Sequence, residues 1–378
     1  MIVKLGDIAF ENRENWTGST EGVPIVGLEH LTPGEITLKD WTSDLKESTF
    51  TKKFRKGQVL LGRRRVYLRK AALAPFDGIC SGDITVIESV PTKLLPELLP
   101  FIIQNDEFFD YAMKGSAGSL SPRVKWAHLA NYTFNLPSLP EQKRLANLLW
   151  AAYDLKESYR RLLAASDELA KSRFVEMFGD PKTNSRNLPV ALLGDIAFIT
   201  KLAGFEYTKH IKYQKHGDII MIRGLNCKSG KLVLDDIYWI SKEVSDSLPR
   251  SQLTKGDIVL TYVGTVGEVA IIDKDNTYHL APNVAKVSLY DKKKNNPVFW
   301  DYMLMMTKDY ILRFASTTTQ SSLSMEKIRK IPFIVPNTAD QNRFAEEIEQ
   351  LYKSKVALQE SIRHLDVIIR TFILNQIK

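Results

Sequence analysis

Apolar residues follow two rhythms along this chain. In two stretches they recur with alternating spacings of four and three. The later stretch runs Phe344, Ile348, Leu351, Lys355, Leu358, Ile362, Leu365, Ile369 and Phe372, and only Lys355 breaks it. The earlier one runs Leu148, Ala152, Leu155, Tyr159, Leu162, Ser166 and Leu169. Such spacing over three to four heptads predicts a helix with a coiled-coil seam. Ser138, Leu139, Pro140 and Glu141 read as a capping box with proline in the first turn. Thr338, Ala339, Asp340 and Gln341 offer the same box in the second stretch. The first helix ends at Gly179, before Asp180 and Pro181. Helices of about 37 residues are about 55 Å long at 1.5 Å per residue.

Elsewhere the apolar runs are short. Residues 57–62, 84–88, 257–262 and 284–289 read as strands, bounded by Gly57, Gly78, Gly82, Gly256, Gly264 and Gly267. Residues 91–111 and 297–314 read as helices beside them. No β-α-β alternation is evident, so a doubly wound sheet is not expected.

These elements occur twice. Leu5, Gly6, Asp7, Ile8, Ala9 and Phe10 recur letter for letter as Leu193, Gly194, Asp195, Ile196, Ala197 and Phe198. Residues 56–61 parallel 255–260, residues 115–121 parallel 318–324, and residues 136–144 parallel 335–343. Ordered matches of this kind indicate a duplication. The expected fold class is α+β. Two tandem domains of mixed α/β are each followed by a long helix. The two helices pair as an antiparallel coiled coil with pseudo-twofold symmetry. The expected boundaries are a first globular domain at 1–137, its helix at 138–179, a polar linker at 180–189, a second globular domain at 190–336 and its helix at 337–378.

Composition narrows the function. The 378 residues are 44% hydrophobic and 25% charged. That suits two or three folded domains and excludes a wholly disordered chain. No apolar run approaches the roughly 18–20 residues of a membrane span. The first ten residues include Asp7 and lack a signal-peptide pattern, so a cytoplasmic protein is expected. Cys80 and Cys227 lie far apart and read as two packed thiols. The net charge is +8, but residues 48–76 hold nine basic residues and no acid. Nucleic acid is therefore the first partner to consider.

Catalytic patterns are missing. There is no phosphate-binding G-x-x-x-x-G-K-[ST], no G-x-G-x-x-G, no G-x-S-x-G and no histidine–cysteine cluster of metal-ligand spacing. A binding role is favoured, with no catalytic residue and no metal or cofactor held by this chain. The candidate DNA contacts begin with Arg63, Arg64, Arg65, Tyr67, Arg69 and Lys70, which follow a strand. Arginine grips phosphate or takes guanine in a bidentate bond. The matching stretch of the second copy has Tyr262 and Thr265 and no arginine, which suggests surfaces that read different sequences. Segments rich in small hydroxyl residues recur at matching places and suit phosphate contacts. They add Lys114, Ser116, Ser119 and Arg123 in the first copy, and Thr318, Thr319, Gln320 and Ser321 in the second.

The layout resembles the specificity subunit of Type I restriction–modification enzymes. Pro137, Glu141, Gln142 and Arg144 look like the P-x-x-x-E-Q-x-R signature that opens each conserved spacer helix there. Pro336, Asp340, Gln341 and Arg343 match it with aspartate for glutamate. The resemblance covers essentially the whole chain. It implies two target-recognition domains, each reading half of a split, asymmetric DNA site. It implies a helical ruler that sets the gap between the half-sites. It also implies two adenine methyltransferase subunits and two motor–nuclease subunits as partners, which use S-adenosylmethionine, ATP and Mg²⁺. Helices of about 55 Å would span roughly 16 base pairs. Two other readings compete: a stand-alone DNA-binding regulator or anti-restriction protein on this scaffold, and a self-contained nuclease or methyltransferase.

Overall fold

The repeated hexapeptide has the same structural job in both copies. Leu5–Ile8 forms one helical turn that runs into the strand Ala9–Asn12. Leu193–Ile196 does the same before Ala197–Lys201. Leu5, Ile8, Leu193 and Ile196 are buried. Gly6 lets this turn press on Ala130, because a β-carbon there would lie 2.9 Å from the Ala130 Cβ. Gly194 presses on Arg329 in the same way, at 2.9 Å from its Cβ. Without a side chain, the glycine allows two backbones to approach.

The computed structural model describes residues 1–43, 50–118, 120–316 and 321–377. It divides into two compact units, Met1–Arg161 with Leu358–Lys378, and Leu162–Ala357. Each unit is centred on an antiparallel four-stranded sheet of the same order. In unit 1 the order is Ala9–Asn12, Ile84–Ser89, Val59–Gly62, Ala71–Leu73. In unit 2 it is Ala197–Lys201, Val284–Leu289, Ile258–Thr261, Val269–Ile271. A smaller sheet flanks each: Ile25–Val26, Gly78–Cys80 and Lys52–Phe54 in unit 1. In unit 2 it is Tyr238–Ile240, Ile219–Ile222, Tyr278–Leu280 and Gln252–Leu253. The opening strand of each unit pairs with the strand that leads into its long helix, Ile2–Lys4 with Thr133–Asn135 and Val190–Leu192 with Pro332–Ile334.

The two expected flanking helices are each broken. Residues 91–111 give Leu99–Ile103 and then Asp106–Lys114, with Asn105 capping the second piece through Glu107 N–H. Residues 297–314 give Pro297–Met306 and Lys308–Leu312, separated at Thr307. Asn105 and Thr307 offer the backbone side-chain hydrogen bonds that compete with a continuous helix. Burial pushes both thiols up to about 12, so Cys80 and Cys227 are inert packed groups.

The long helices run from Leu139 to Phe178 and from Thr338 to Gln376. The first begins at the expected box, where Ser138 N–H and Oγ–H both donate to Glu141 Oε2, at 2.9 and 2.7 Å. The second box sits one residue earlier than the Thr338 reading. Asn337 Oδ1 accepts from Asp340 N–H at 2.9 Å, and Asn337 Nδ2 donates to Asp340 Oδ2 at 2.7 Å. Thr338 instead donates to the Lys294 carbonyl. The glutamine of the signature ties helix to domain. Gln142, 1% exposed, accepts from Leu95 N–H and donates to the Lys93 and Pro137 carbonyls. Gln341 accepts from Asn296 N–H and donates to the Pro336 carbonyl.

Both units pack a piece of each helix against their cores, and within each unit the pieces run antiparallel. Unit 1 joins Leu145, Leu149 and Tyr153 to Ile369, Ile373 and Ile377. Unit 2 joins Ala170, Phe174 and Phe178 to Phe344 and Ile348. The first seam differs from its predicted register. Leu148, Leu155, Leu162 and Leu169 are 43–56% exposed, while Leu149, Lys156 and Ala170, one residue on, are buried. In the second helix the stripe holds as far as Ile369. Phe372 then turns outward at 42% exposure and Ile373 turns in.

Lys355, the break in the apolar stripe, pairs with Asp167 of the first helix. Its counterpart 199 residues earlier, Lys156, pairs at 2.5 Å with Asp366, which lies 199 residues after Asp167. The duplication thus carries one Lys–Asp pair, with a sheltered lysine and an exposed aspartate, into each unit. A polar pair in a helical seam is satisfied in one alignment and so specifies register.

Candidate nucleic-acid interface

In unit 1 the arginine loop leaves the sheet after Gly62. Arg65 and Arg69 adopt left-handed conformations, with φ of 51° and 52°, around the short turn Val66–Leu68. Val66 plugs the core, while Tyr67 and Leu68 stand 52% and 42% exposed. Backbone bonds fix the loop: Arg63 N–H to the Asp83 carbonyl, Arg65 N–H to the Pro122 carbonyl, and Val124 N–H to the Arg63 carbonyl.

The corresponding loop of unit 2 has the same wiring. Tyr262 N–H donates to the Asn283 carbonyl, Gly264 N–H to the Ser321 carbonyl, and Leu323 N–H to the Tyr262 carbonyl. Single bridges join Arg64 to Arg123 and Val263 to Ser322. Gly264 is left-handed like Arg65. Equivalent positions therefore carry different chemistry: Arg63 and Tyr262, Arg64 and Val263, Arg65 and Gly264, Arg123 and Ser322, Asp83 and Asn283.

Much of the basic charge of residues 48–76 is matched by acids from outside that segment. Lys52 pairs with Glu11 and Arg55 with Glu14. Arg69 binds Asp106 and Asp110 on the neighbouring helix, and Lys70 donates to the Leu28 carbonyl. The Asp83 carboxylate takes Arg123 Nε at 2.7 Å and lies 3.6 Å from Arg64. The Arg123 hydrogen bond, with the charges of Arg123, Arg64 and Arg63, holds Asp83 below the usual carboxylate range against its partial burial. Arg64 also donates to Ser121 Oγ.

Arg63 and Arg65 have no side-chain hydrogen bond or close ion pair among the described residues, and the buried Arg63 Nε is unpartnered. Arg63, Arg13, Lys52 and Arg123 line an open recess of about 790 Å³ together with Glu11 and Asp83. Such a mixed donor and acceptor lining suits base edges as well as phosphate.

The remaining candidates scatter. Lys114 is exposed at the end of its helix. Ser116 Oγ is buried without a partner. Ser321 meets Gly264 through its backbone, and Thr265 is exposed, its carbonyl accepting from Thr261 Oγ1–H. Ser119, Thr318, Thr319 and Gln320 lie outside the described residues. Tyr262, only 9% exposed, lies beneath Lys201, whose Nζ is 5.2 Å from the ring centre. Among the signature residues, Arg144 is exposed and Arg343 pairs with Asp340 at 3.2 Å.

Sequence reading missed Asp83 and Asn283, which anchor the loops through their carbonyls. It also missed Arg13 and Lys201, at equivalent positions where the first strand of each sheet ends. Aligning the two copies beyond their identical letters was the available signal.

Each half of the chain is thus an α+β unit with a loop of common backbone wiring and a long helix. Residues 187–365 match the family model described as Type I restriction modification DNA specificity domain. The chain is 23% identical over 320 residues to the EcoBI specificity subunit of Escherichia coli, covering 75% of this chain and 67% of that one. It is 26% identical over 169 residues to the EcoDI specificity subunit of Escherichia coli, covering 44% of this chain and only 34% of that relative. The fold matches the crystal structure of a Type I S subunit from M. genitalium with TM-score 0.62 at 13% identity, covering 99% of this chain and 94% of that one. A chain solved in work on complex assembly of the type I R-M system gives TM-score 0.60 at 18% identity, over 100% and 97%. Residues 187–365 thus match a Type I restriction modification DNA specificity domain, and the chain shares the fold of solved Type I S subunits.

Proposed function

We propose that this chain is the non-catalytic address of a Type I restriction–modification complex. Each unit reads one half of a bipartite, asymmetric duplex target, and the paired helices act as the ruler that sets the gap. The observation that carries this reading is the pair of loops with common backbone wiring and different side chains. One is lined by Arg63, Arg64 and Arg65 and the other by Tyr262, Val263 and Gly264. Common wiring presents the loops alike, and unlike side chains make each specific for its own bases.

The chain recruits adenine methyltransferase subunits and motor–nuclease subunits. S-adenosylmethionine, ATP and Mg²⁺ are used by those partners, and this chain supplies no catalytic group. The outward leucines, Leu148 and Leu155 in unit 1 and Leu162 and Leu169 in unit 2, support docking of partner helices on each unit, because apolar residues seven apart match another helix. The partnership takes place in the cytoplasm.

The test is a genome-wide map of methylated adenine with and without the gene. Loss of one bipartite motif on deletion is expected, and would deliver both half-sites and the gap. An unchanged map from a strain that makes both chain and methyltransferase overturns the proposal.

A further inference from the structure

In unit 2 a second surface begins where the reading loop ends. The strand Ala197–Lys201 leaves the sheet with Lys201 over Tyr262, 5.2 Å from Nζ to ring centre. The short helix Gly204–His210 follows within three residues. It carries Phe205, which is 70% exposed, more than any other large apolar side chain described in this unit.

The surroundings are cationic. Residues 201–216 contain Lys201, Lys209, Lys212, Lys215, His210 and His216 against one acid, Glu206. Glu206 is already engaged, accepting from Ala203 N–H at 2.9 Å and facing Arg250 at 3.4 Å. Lys209, Lys212 and Lys215 are exposed and make no hydrogen bond or ion pair among the described residues.

The segment is well anchored. Ile211 is buried in the core, Gln214 and Trp239 exchange backbone hydrogen bonds, and Tyr213 stacks on Tyr238 at 5.2 Å. A single exposed phenylalanine is ordinary on a protein surface. Here it stands on an anchored segment that follows the strand bearing Lys201, with Lys209 four residues on along the same helix and Lys212 and Lys215 just beyond it. Duplex DNA offers phosphates for those lysines and a base stack for the ring.

We propose that Phe205 enters the base stack of the half-site read by unit 2, as an apolar wedge steadied by lysines on the flanking phosphates. This rests on the reading that unit 2 binds DNA. It adds that the arginine-poor unit recognises its half-site partly through how readily a base step opens.

The experiment uses the full chain with its methyltransferase subunits on a duplex taken from the methylation map. 2-Aminopurine is placed at successive steps of the second half-site. The expected result is a fluorescence rise at one step that is lost in Phe205→Ala, with affinity down about tenfold. Phe205→Trp retains both, which separates insertion from misfolding. Unchanged affinity and fluorescence in Phe205→Ala overturn the wedge alone, as does a loss of affinity with no step fluorescing in the wild type. That last result would assign Phe205 to a protein contact. A wild-type complex that does not bind the mapped duplex overturns the recognition reading and the wedge with it.

Discussion

Replacing Asp366 by asparagine isolates one charge in the seam of unit 1. The Lys156 side chain is 6% exposed and its ammonium lies 2.5 Å from the Asp366 carboxylate. The variant keeps the shape and removes the counter-charge, leaving a largely buried ammonium without it. Breaking a fully buried pair costs about 3–5 kcal/mol, and an exposed pair contributes about 0–1 kcal/mol. Asp366 is 44% exposed, so the pair falls between these limits and a loss of about 2 kcal/mol is expected. Urea unfolding of the purified chain measures it. Lys156→Met with Asp366→Leu should recover most of the loss, because apolar packing removes the desolvation cost. The double variant should also loosen register, which under the ruler reading broadens the gap in the methylation motif. An unfolding midpoint for Asp366→Asn equal to wild type would show that water already solvates the ammonium, and the argument from burial would be wrong.

Three further outcomes are expected. Arg63→Ala with Arg65→Ala should weaken binding by about 1–3 kcal/mol per lost base contact and relax only the first half-site. Arg69→Ala, whose guanidinium is held by Asp106 and Asp110, should leave affinity nearly unchanged; gel shifts with half-site variants check both. Gln142→Ala strips the acceptor from the half-buried Leu95 N–H and should cost about 1–3 kcal/mol in chemical unfolding, with Gln341→Ala behaving alike through Asn296. Asp301, 2% exposed with Oδ1 unpartnered, has its pKa pushed well above the ordinary value by burial. The unfolded carboxyl ionises near about 3.9. Above that pH the unfolded state loses a proton that the folded state keeps, so stability falls as pH rises towards the folded value. Asp301→Asn should therefore gain on wild type as pH rises above about pH 4 in thermal melts, with the gain vanishing below about pH 4.

What the sequence determined by itself was whatever repeats locally. The duplication, the core strands, both long helices and the first capping box follow from patterns within a few turns of chain. The signature glutamines were legible as letters, but their role was not, because Leu95 and Asn296 lie more than forty residues away from them. Tertiary structure decided three other matters. A period of 3.5 residues cannot say which of two adjacent stripes turns inward, and packing against each core chose Leu149 and Lys156 over Leu148 and Leu155. Charge counting along residues 48–76 could not see Glu11, Glu14, Asp83, Asp106 and Asp110, which folding brings alongside and which leave Lys56, Arg63 and Arg65 without a side-chain partner among the described residues. The likeness of the two reading loops lies in backbone hydrogen bonds, which any side chain can accompany. Only the folded chain could show that Arg63 and Tyr262 occupy the same place.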